Sequence, residues 1–293
     1  MKIVKVHGGL GNQMFQYAFA RSLGKATGDE IFIDASAFGD DPAHNGFELD
    51  VLFAMALPLA EARDVDRLST KPRGALGRFR RKYFTKSTHF IDRKFGWQPE
   101  VYDMPGDRYF EGYWQSEKYF EGIAGDLRAE FAFKPPLSDR NRRLLESVRR
   151  PVASVHVRRG DYLAHPNLDI CTPDYYRRAA ESMRAAGAAS FLVFSDDLEY
   201  CRNALELGPT PATFVDWNRG ALSWQDMAMM SACDHHVVAN SSFSWWGAWL
   251  DSSPEKRVVA PTVWNRREIE DRDHYYSYRF GDVVPESWER IPI

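Results

Sequence analysis

Short apolar runs alternate with amphipathic segments along most of this 293-residue chain. The runs that have the length of buried strands are 2–6, 30–34, 152–157, 190–195, 212–215, 237–240 and 257–260. Apolar residues at helical spacing separate them and predict one helix that ends at Gly28 and others over 173–186 and 223–232. Strands that alternate with helices pair in parallel, so the pattern predicts an α/β fold with doubly wound sheets.

The segment 134–151 interrupts this alternation and predicts a connection between two domains. It contains two prolines, a serine suited to capping a helix (Ser138) and a short amphipathic stretch. A chain of this length fits one large or two medium domains. We therefore expect one Rossmann-like domain over 1–150 and a second one over 151–293 that carries a nucleotide.

Composition and charge narrow the class of protein. The chain has 38 Lys and Arg against 41 Asp and Glu, a net charge of −3, so no basic field suggests nucleic acid. Three widely spaced cysteines fit no metal or disulfide pattern and favour a reducing compartment. Because neither a signal-peptide pattern nor an apolar stretch of about 20 residues is present, we expect a cytoplasmic protein. The basic segment 71–86 is more typical of a solvated surface, and peripheral contact with anionic lipid of the inner membrane is the alternative.

Polar clusters follow four of the predicted strands directly, with the sequences HVRRGD, SDD, DWN and NSS. In open α/β sheets, ligands bind at the carboxyl ends of the strands. The first cluster has the richest chemistry, because Arg158 offers a planar fork for phosphate and His156 shares its face of the strand. Asp161 is suited to holding an arginine, accepting a proton or ending the strand. An ion-pair network at the strand end is the alternative, but the position of the cluster favours a site.

Two turns between a strand and a helix are further candidates. Ser241 and Ser242 begin a helix whose free N–H groups suit a phosphate, while the tryptophans that follow are expected in the core. The turn GGLGNQ, which contains Gly11, Asn12 and Gln13, is not a dinucleotide fingerprint. Its amides suit hydrogen bonds to a ligand, and its glycines are equally typical of a tight turn that lets a helix pack closely.

Acidic and aromatic residues provide the remaining candidates. Asp226 lies early in a helix, where an acid complements the helix dipole or accepts from the N1 and N2 donors of guanine. Asp196 and Asp197 could hold a divalent metal, but capping of the next helix is the better interpretation, and no metal site is predicted. The segment 109–120 combines aromatic rings with Glu111, Gln115 and other polar groups, which suits sugars and also a domain core.

Taken together, these segments resemble the alpha-1,2-fucosyltransferases of glycosyltransferase family 11. The similarity rests on GGLGNQMFQYAFARSL, GYWQSEKYF, HVRRGDY, FSDD and NSSFSWWGAWL and runs nearly from end to end. The resemblance implies a GT-B-type fold, in which two Rossmann-like domains face each other across a cleft, with 1–150 on the acceptor side and 151–293 binding the GDP-sugar. It also implies inverting transfer of L-fucose from GDP-beta-L-fucose to the 2-hydroxyl of a terminal galactose, with no cofactor and no essential metal. The acceptor would be an oligosaccharide or a polysaccharide precursor, as in O-antigen biosynthesis.

The resemblance also implies roles for individual residues. Arg158 would bind the beta-phosphate of GDP, Arg159 would stabilise the motif, and Asp226 would read guanine. The donor-binding set is His156, Arg158, Arg159, Asp226, Ser241, Ser242 and Gly11. The expected catalytic residues are Arg158, Asp161 and Asn12, and the expected acceptor or sugar contacts are Gln13, Glu111, Trp114 and Gln115. Asp161 and Glu111 are the candidates for a general base, and a dissociative route without a base is the alternative.

Three other functions compete with this interpretation. A sulfotransferase or phosphotransferase would normally show a Walker loop near the N-terminus, and GGLGNQ lacks the Lys-Ser/Thr of such a loop. A sugar-binding module without catalysis would not need the arginines or Asp226. A transferase for another GDP-sugar would share all of these motifs, so the sequence does not discriminate against it.

Overall fold

The computed structural model describes residues 1–39, 45–70, 85–266 and 280–293. The chain divides into two compact units, Met1–Lys134 and Pro135–Ile293. The division falls at 134/135 rather than at the expected 150/151, because the helix Asp139–Ser147 packs against the helix Trp224–Met230 of the second unit. Both units contain a sheet of parallel strands flanked by helices, so the predicted α/β class is confirmed.

The first unit is built on a four-stranded parallel sheet in the order β2-β1-β4-β3. Its strands are β1 (Lys2–Lys5), β2 (Ile31–Asp34), β3 (His89–Ile91) and β4 (Arg108–Glu111). Its α-helices are Leu10–Thr27, Leu49–Leu52, Ala62–Leu68 and Ala124–Glu130. The long helix ends at Gly28, as predicted, and Gly28 takes a φ of 70° there while its N–H bonds to the carbonyl of Gly24.

The second unit is built on a six-stranded parallel sheet in the order β10-β9-β8-β5-β6-β7. Its strands are β5 (Val152–Val157), β6 (Ser190–Ser195), β7 (Ala212–Val215), β8 (His235–Val237), β9 (Val258–Pro261) and β10 (Glu289–Ile291). Its α-helices are Asp139–Ser147, Pro173–Ala185, Leu198–Ala204, Trp224–Met230 and Ser242–Leu250. The strand predicted over 237–240 is β8, which ends at Val237, because its pairing with β5 stops there.

The strand order places a topological switch point in each sheet. In the second unit the chain runs from β5 outward to β6 and β7, and then returns to β8 on the other side of β5. In the first unit β1 lies between β2 and β4 in the same way. Because connections leave a switch strand in opposite directions, a crevice opens at its carboxyl end. The HVRRGD cluster follows β5 and the NSS cluster follows β8, so the fold brings both to one crevice.

The tryptophans after β8 lie in the core, as predicted. Trp245, Trp246 and Trp249 are buried, and the indole of Trp245 donates to the carbonyl of Val283 at 2.7 Å. Among the described residues, no helix is both long enough and apolar enough to span a membrane. The basic segment 71–86 lies outside the described residues except for its last two positions, so its membrane contact stays a prediction.

Candidate functional site

Arg158 lies just past the end of β5 and is held between two carboxylates. Its Nη2 donates to Oδ1 of Asp161 at 2.6 Å, and its Nη1 lies 2.9 Å from Oδ2 of Asp196. The guanidinium stays about one-third exposed. The ion-pair network that was the alternative interpretation of this cluster is therefore present. It fixes the orientation of the guanidinium and leaves it accessible. A fork of this kind, fixed and accessible, is suited to a bidentate contact with phosphate.

Arg159 is built into the scaffold of the site. Its Nε bonds to Oδ2 of Asp197 at 3.2 Å, its guanidinium lies 3.6 Å from the centre of the Tyr200 ring, and its backbone N–H donates to Oδ1 of Asp196 at 2.9 Å. Asp197 in turn accepts from the N–H of Tyr200 as the N-cap of the helix Leu198–Ala204, as predicted. These contacts join the end of β5 to the end of β6.

Gly160 allows Asp196 to come this close to Arg158. A Cβ at position 160 would lie 2.6 Å from Oδ2 of Asp196, inside the distance at which real Cβ atoms make contact. Any larger residue at position 160 would therefore force the Asp196 carboxylate to shift. Gly160 begins the short 3-10 segment Gly160–Ala164, which also positions Asp161 and Tyr162.

The segment after β8 begins a helix whose N-terminus is linked to Arg158 through Tyr162. Ser241 is the N-cap of the helix Ser242–Leu250 and accepts from the N–H of Phe243. The hydroxyl of Tyr162 donates to the carbonyl of Asn240 at 3.1 Å, and the guanidinium of Arg158 lies 5.4 Å from the centre of the Tyr162 ring. Tyr162 thus connects the two clusters, and burial raises its pKa to about 12, so the phenol stays protonated. Although it belongs to the HVRRGDY segment, the sequence interpretation did not assign it a role.

His156 lies in β5 and is almost completely buried. Burial, and next the positive charge of Arg158, lower its pKa to about 3, so the imidazole is neutral at physiological pH. Its Nδ1 finds no hydrogen-bond partner in the described parts of the chain, and its ring lies 5.9 Å from that of Phe243. His156 is therefore a neutral group at the base of the site, and it is unsuited to act as an acid.

Asp226 lies in the first turn of the helix Trp224–Met230, which packs against the helix Ser242–Leu250. Burial raises its pKa to about 7, while the amide of Asn218, which donates to Oδ1 at 2.7 Å, and the charge of Arg219 act in the opposite direction. The carboxyl is thus poised between its two protonation states near neutral pH. Such a group is a candidate for ligand recognition rather than an ordinary dipole-complementing acid.

The candidates of the first unit meet at the carboxyl ends of β1 and β4. Asn12 accepts from Nε2 of Gln115 at 2.8 Å, so these two amides are paired. Gln13 is fully buried; it donates to the carbonyls of Gly8 and Gly46 and accepts from the N–H of Glu48. Gln13 therefore ties the turn to the following segment.

The other three candidates of that unit are held by neighbours as well. Trp114 is buried, has a φ of 56° and stacks on Phe19 with ring centres 4.0 Å apart. Glu111 accepts from Lys5 and pairs with His89, each at 3.1 Å. Gly11 is buried in the first turn of the helix Leu10–Thr27. The sugar contacts expected of these residues stay predictions.

The acidic side chains of the described residues do not form a metal centre. In residues 1–39, 45–70, 85–266 and 280–293, no three His, Cys, Asp or Glu side chains come together in a way that could hold a metal ion. Asp196 and Asp197 instead face Arg158 and Arg159. The expected absence of a metal and a cofactor stays a prediction.

Solved structures of low sequence identity share the fold of this chain. The chain aligns with the alpha-1,6-fucosyltransferase NodZ, soaked with GDP-fucose, at a TM-score of 0.50 and 17% identity, covering 85% of this chain and 91% of that one. It aligns with POFUT1 in complex with GDP-fucose at a TM-score of 0.52 and 13% identity, covering 88% and 97%. The fold is therefore one that fucosyltransferases use.

Similarity in sequence gives the family. The model of glycosyl transferase family 11 matches residues 76–279. An alpha-1,2-colitosyltransferase of Escherichia coli is 30% identical, with 99% of this chain and 98% of that protein aligned. The O-antigen biosynthesis glycosyltransferase WbnK of Escherichia coli is 28% identical, over 88% and 92%. Galactoside alpha-(1,2)-fucosyltransferase 1 of Saimiri boliviensis boliviensis is 28% identical, over 83% of this chain and 63% of that protein. The chain belongs to glycosyltransferase family 11 and is a glycosyltransferase, as the motifs predicted.

Proposed function

We propose that this enzyme transfers L-fucose from GDP-beta-L-fucose to the 2-hydroxyl of a terminal galactose, with inversion at the anomeric carbon. The observation that carries the proposal is the position of Arg158, whose fixed fork lies at the switch point between β5 and β8. A pyrophosphate placed there would also meet the N-terminus of the helix Ser242–Leu250. The names of the family relatives support alpha-1,2 transfer, and the GDP-fucose of the structural neighbours supports the donor.

The chemistry requires stabilisation of a leaving group. The beta-phosphate of GDP gains negative charge as its bond to the sugar breaks, and the acceptor hydroxyl attacks from the opposite face. A guanidinium and a helix N-terminus that are already oriented stabilise this charge without solvent reorganisation, and loss of one such group typically costs about 10²–10³ in rate. Arg158, Ser241 and Ser242 have this role in our proposal, with Arg159 as the scaffold behind them.

Asp226 has the role of reading the base. An ionised carboxylate accepts from the N1 and N2 donors of guanine and rejects adenine, which offers no such pair of donors. Oδ1 already accepts from Asn218 at 2.7 Å, which leaves Oδ2 for the nucleotide. His156, neutral and buried, contributes a donor or acceptor at the base of the same site.

The proposal also assigns residues to the acceptor and to the general base. Asn12, paired with Gln115, contacts the fucose or the acceptor, and Asp161 or Glu111 removes the proton of the attacking hydroxyl. Asp161 must leave Arg158 to do so, and Glu111 must leave Lys5 or His89. The GT-B cleft and the cytoplasmic location stay predictions. A polysaccharide precursor is the acceptor that the name of WbnK favours.

A second donor is favoured by one comparison. The colitosyltransferase matches this chain over nearly its whole length at 30% identity. Colitose is fucose without the 3-hydroxyl, so the choice between the two donors depends on contacts to that one hydroxyl. A site built to hydrogen-bond a hydroxyl rejects the analogue without it by about 10⁴–10⁵, whereas an apolar site rejects the added hydroxyl by only about 10². Comparison of kcat/KM for the two GDP-sugars would identify the natural donor.

The test measures GDP release and the glycan product with GDP-fucose and lactose in EDTA, for the wild type and for Arg158→Ala. We expect a fucosyl-lactose whose anomeric proton signal in NMR reports the alpha configuration, and a loss of about 10²–10³ in kcat for the variant. Arg177→Ala is the matched control, because Arg177 also pairs with two carboxylates but on the exposed face of a helix. It should retain the wild-type rate.

Failure of the assay has to be separated from failure of the donor assignment. If lactose is not fucosylated but GDP-fucose raises the Tm, the donor assignment holds and other galactose-terminated glycans are tested. If neither GDP-fucose nor GDP-colitose raises the Tm, the donor assignment is wrong. Equal loss of rate in Arg158→Ala and Arg177→Ala would remove the special role of Arg158.

A further inference from the structure

A chain of buried and partly buried hydrogen bonds leads from the helix Asp139–Ser147 to the carboxylate of Asp226. The indole Nε1 of Trp217 donates to Oδ1 of Asn141 at 2.6 Å, and Nδ2 of Asn141 donates to Oδ1 of Asn218 at 3.0 Å. Nδ2 of Asn218 then donates to Oδ1 of Asp226 at 2.7 Å. Asn141 is fully buried and Asn218 is 7% exposed, so water does not compete for these amides.

The direction of this chain is fixed at its first member. An indole N–H can only donate, so it selects the carbonyl oxygen of Asn141 and turns the amide nitrogen away. That nitrogen donates to Asn218 and, at 2.8 Å, to Oε1 of Gln225, which also accepts from the N–H of Ser138. With its oxygen thus occupied, Asn218 presents its N–H groups to Asp226. No member can flip without breaking bonds at both ends.

We propose that Asn141 and Asn218, oriented by Trp217, are positioning residues that hold Asp226 as an ionised acceptor with Oδ2 directed at guanine. The inference rests on the proposed role of Asp226 in binding guanine, and it adds residues that do not themselves contact the nucleotide. It gives the helix Asp139–Ser147, which the sequence suggested to be a connection, a part in donor recognition.

The need for such a chain follows from the burial of Asp226. Burial acts against its charge, and the contributions that favour ionisation are the hydrogen bond from Asn218 and the charge of Arg219. A further cation, Arg140, lies 3.5 Å from the centre of the Trp217 ring and so covers the start of the chain. Without the donor from Asn218, the carboxyl would take up a proton at neutral pH. A protonated carboxyl offers one acceptor fewer to guanine.

The variant Asn141→Asp tests the donor–acceptor direction of the hydrogen-bond chain and leaves the packing nearly unchanged. It keeps the size of the side chain, but a carboxylate has no N–H to give. Asn218 must then turn its N–H groups toward residue 141 and its oxygen toward Asp226, which places two acceptors face to face. Asn203→Asp is the matched control, because Asn203 is an exposed residue on the helix Leu198–Ala204 of the same unit and the change in charge is the same.

The first measurement is the titration of Asp226 in the ligand-free protein, by NMR of aspartate labelled with ¹³C at Cγ and assigned with Asp226→Asn. The pKa of Asp226 should rise by about one unit or more in Asn141→Asp and in Asn218→Leu, as expected for loss of a hydrogen bond to a charged group. It should stay unchanged in Asn203→Asp. An unchanged pKa in folded Asn141→Asp would overturn the proposal whether or not GDP is the ligand.

The second measurement is the Kd for GDP as a function of pH. In Asn141→Asp we expect about tenfold weaker binding at neutral pH and recovery at higher pH, because the carboxylate can still be ionised there. A purely structural defect would lower the Tm and the active fraction but leave the midpoint of the pH profile in place, and that result would contradict the inference. If wild-type protein binds no GDP, the proposed function fails, while the titration still decides whether the chain controls Asp226.

Discussion

Substitution of Gly160 by alanine tests how the arginine site is built. The added Cβ would lie 2.6 Å from Oδ2 of Asp196, and ordinary contact begins near 3.4 Å, so the carboxylate must retreat by about 0.8 Å. Asp196 also accepts the backbone N–H of Arg159 at 2.9 Å and pairs with Nη1 of Arg158 at 2.9 Å. The retreat therefore stretches one or both of these bonds. Arg158 keeps only Asp161 as a firm partner.

The magnitude follows from what is stretched. A hydrogen bond to a charged group contributes about 1.5–3 kcal/mol when buried, but this pair is about one-third exposed, so about 1–2 kcal/mol is a better figure. Alanine stiffens the unfolded chain and returns about 0.5 kcal/mol. The free energy of unfolding of the second unit should fall by about 1 kcal/mol, or roughly 2–4 °C in Tm. Because the guanidinium is displaced by a similar fraction of an ångström, kcat should fall by about 10- to 100-fold.

Thermal unfolding and the GDP-release assay measure both quantities. Gly125→Ala is the control, because a Cβ at that helical position meets nothing within 4 Å and should leave the Tm the same or slightly higher. The decisive comparison is made in an Asp196→Ala background, where the collision is absent. There Gly160→Ala should cost little further stability or rate. If its cost is the same with and without Asp196, the close approach does not explain the glycine.

Three further outcomes follow from buried polar groups. The pKa of His156 is about 3 in the folded protein, below its unfolded value of 6.5, so its contribution to stability is complete above about pH 6.5 and is lost as pH falls toward 3. In denaturant titrations, His156→Asn should therefore reduce the loss of stability on acidification. An unchanged loss would contradict the burial of a neutral imidazole. Gln16→Leu should lower the free energy of unfolding by about 2–4 kcal/mol, because it removes the hydrogen bonds of the Gln16 side chain to the N–H of His7 and the carbonyl of Gly112. A loss below about 0.5 kcal/mol would refute this role of the amide. Burial raises the thiol pKa of Cys171, Cys201 and Cys233, so none should react with Ellman's reagent at neutral pH until the protein unfolds.

Local chemistry made much of the second unit predictable. The strands β5, β6 and β7 occur where apolar runs end in polar clusters, and Ser138 and Asp197 cap helices as their residue types suggest. The carboxyl ends of parallel strands must lie along one edge, so the joining of HVRRGD, SDD and NSS followed from fold class alone. Periodicity and turn chemistry are short-range signals, and these features depend on nothing else.

Features that depend on distant partners were not predictable in this way. Asn141 and Asn218 are 77 positions apart, and nothing in either neighbourhood indicates that their amides meet. The stacking of Trp114 on Phe19 is another such feature, because Trp114 has a positive φ and no residue next to it signals that conformation. The DWN cluster after β7 was the one available hint, since it placed Asn218 at the edge of the sheet.

The two carboxylates that hold Arg158 also determine which anions can use it. In the described structure the guanidinium shares its charge with Asp161 and Asp196 before any donor arrives. An anion that takes the fork bidentately must compete with these neighbours and accept their repulsion. Inorganic phosphate has no second binding contact, so replacing the aspartate contacts of Arg158 gives it little net binding free energy. A phosphate tethered to a base that is bound elsewhere in the same unit arrives at a high effective concentration. If a GDP-sugar is the donor, as we propose, we expect Asp161 and Asp196 to disfavour free inorganic phosphate at Arg158 relative to the diphosphate of a bound nucleotide.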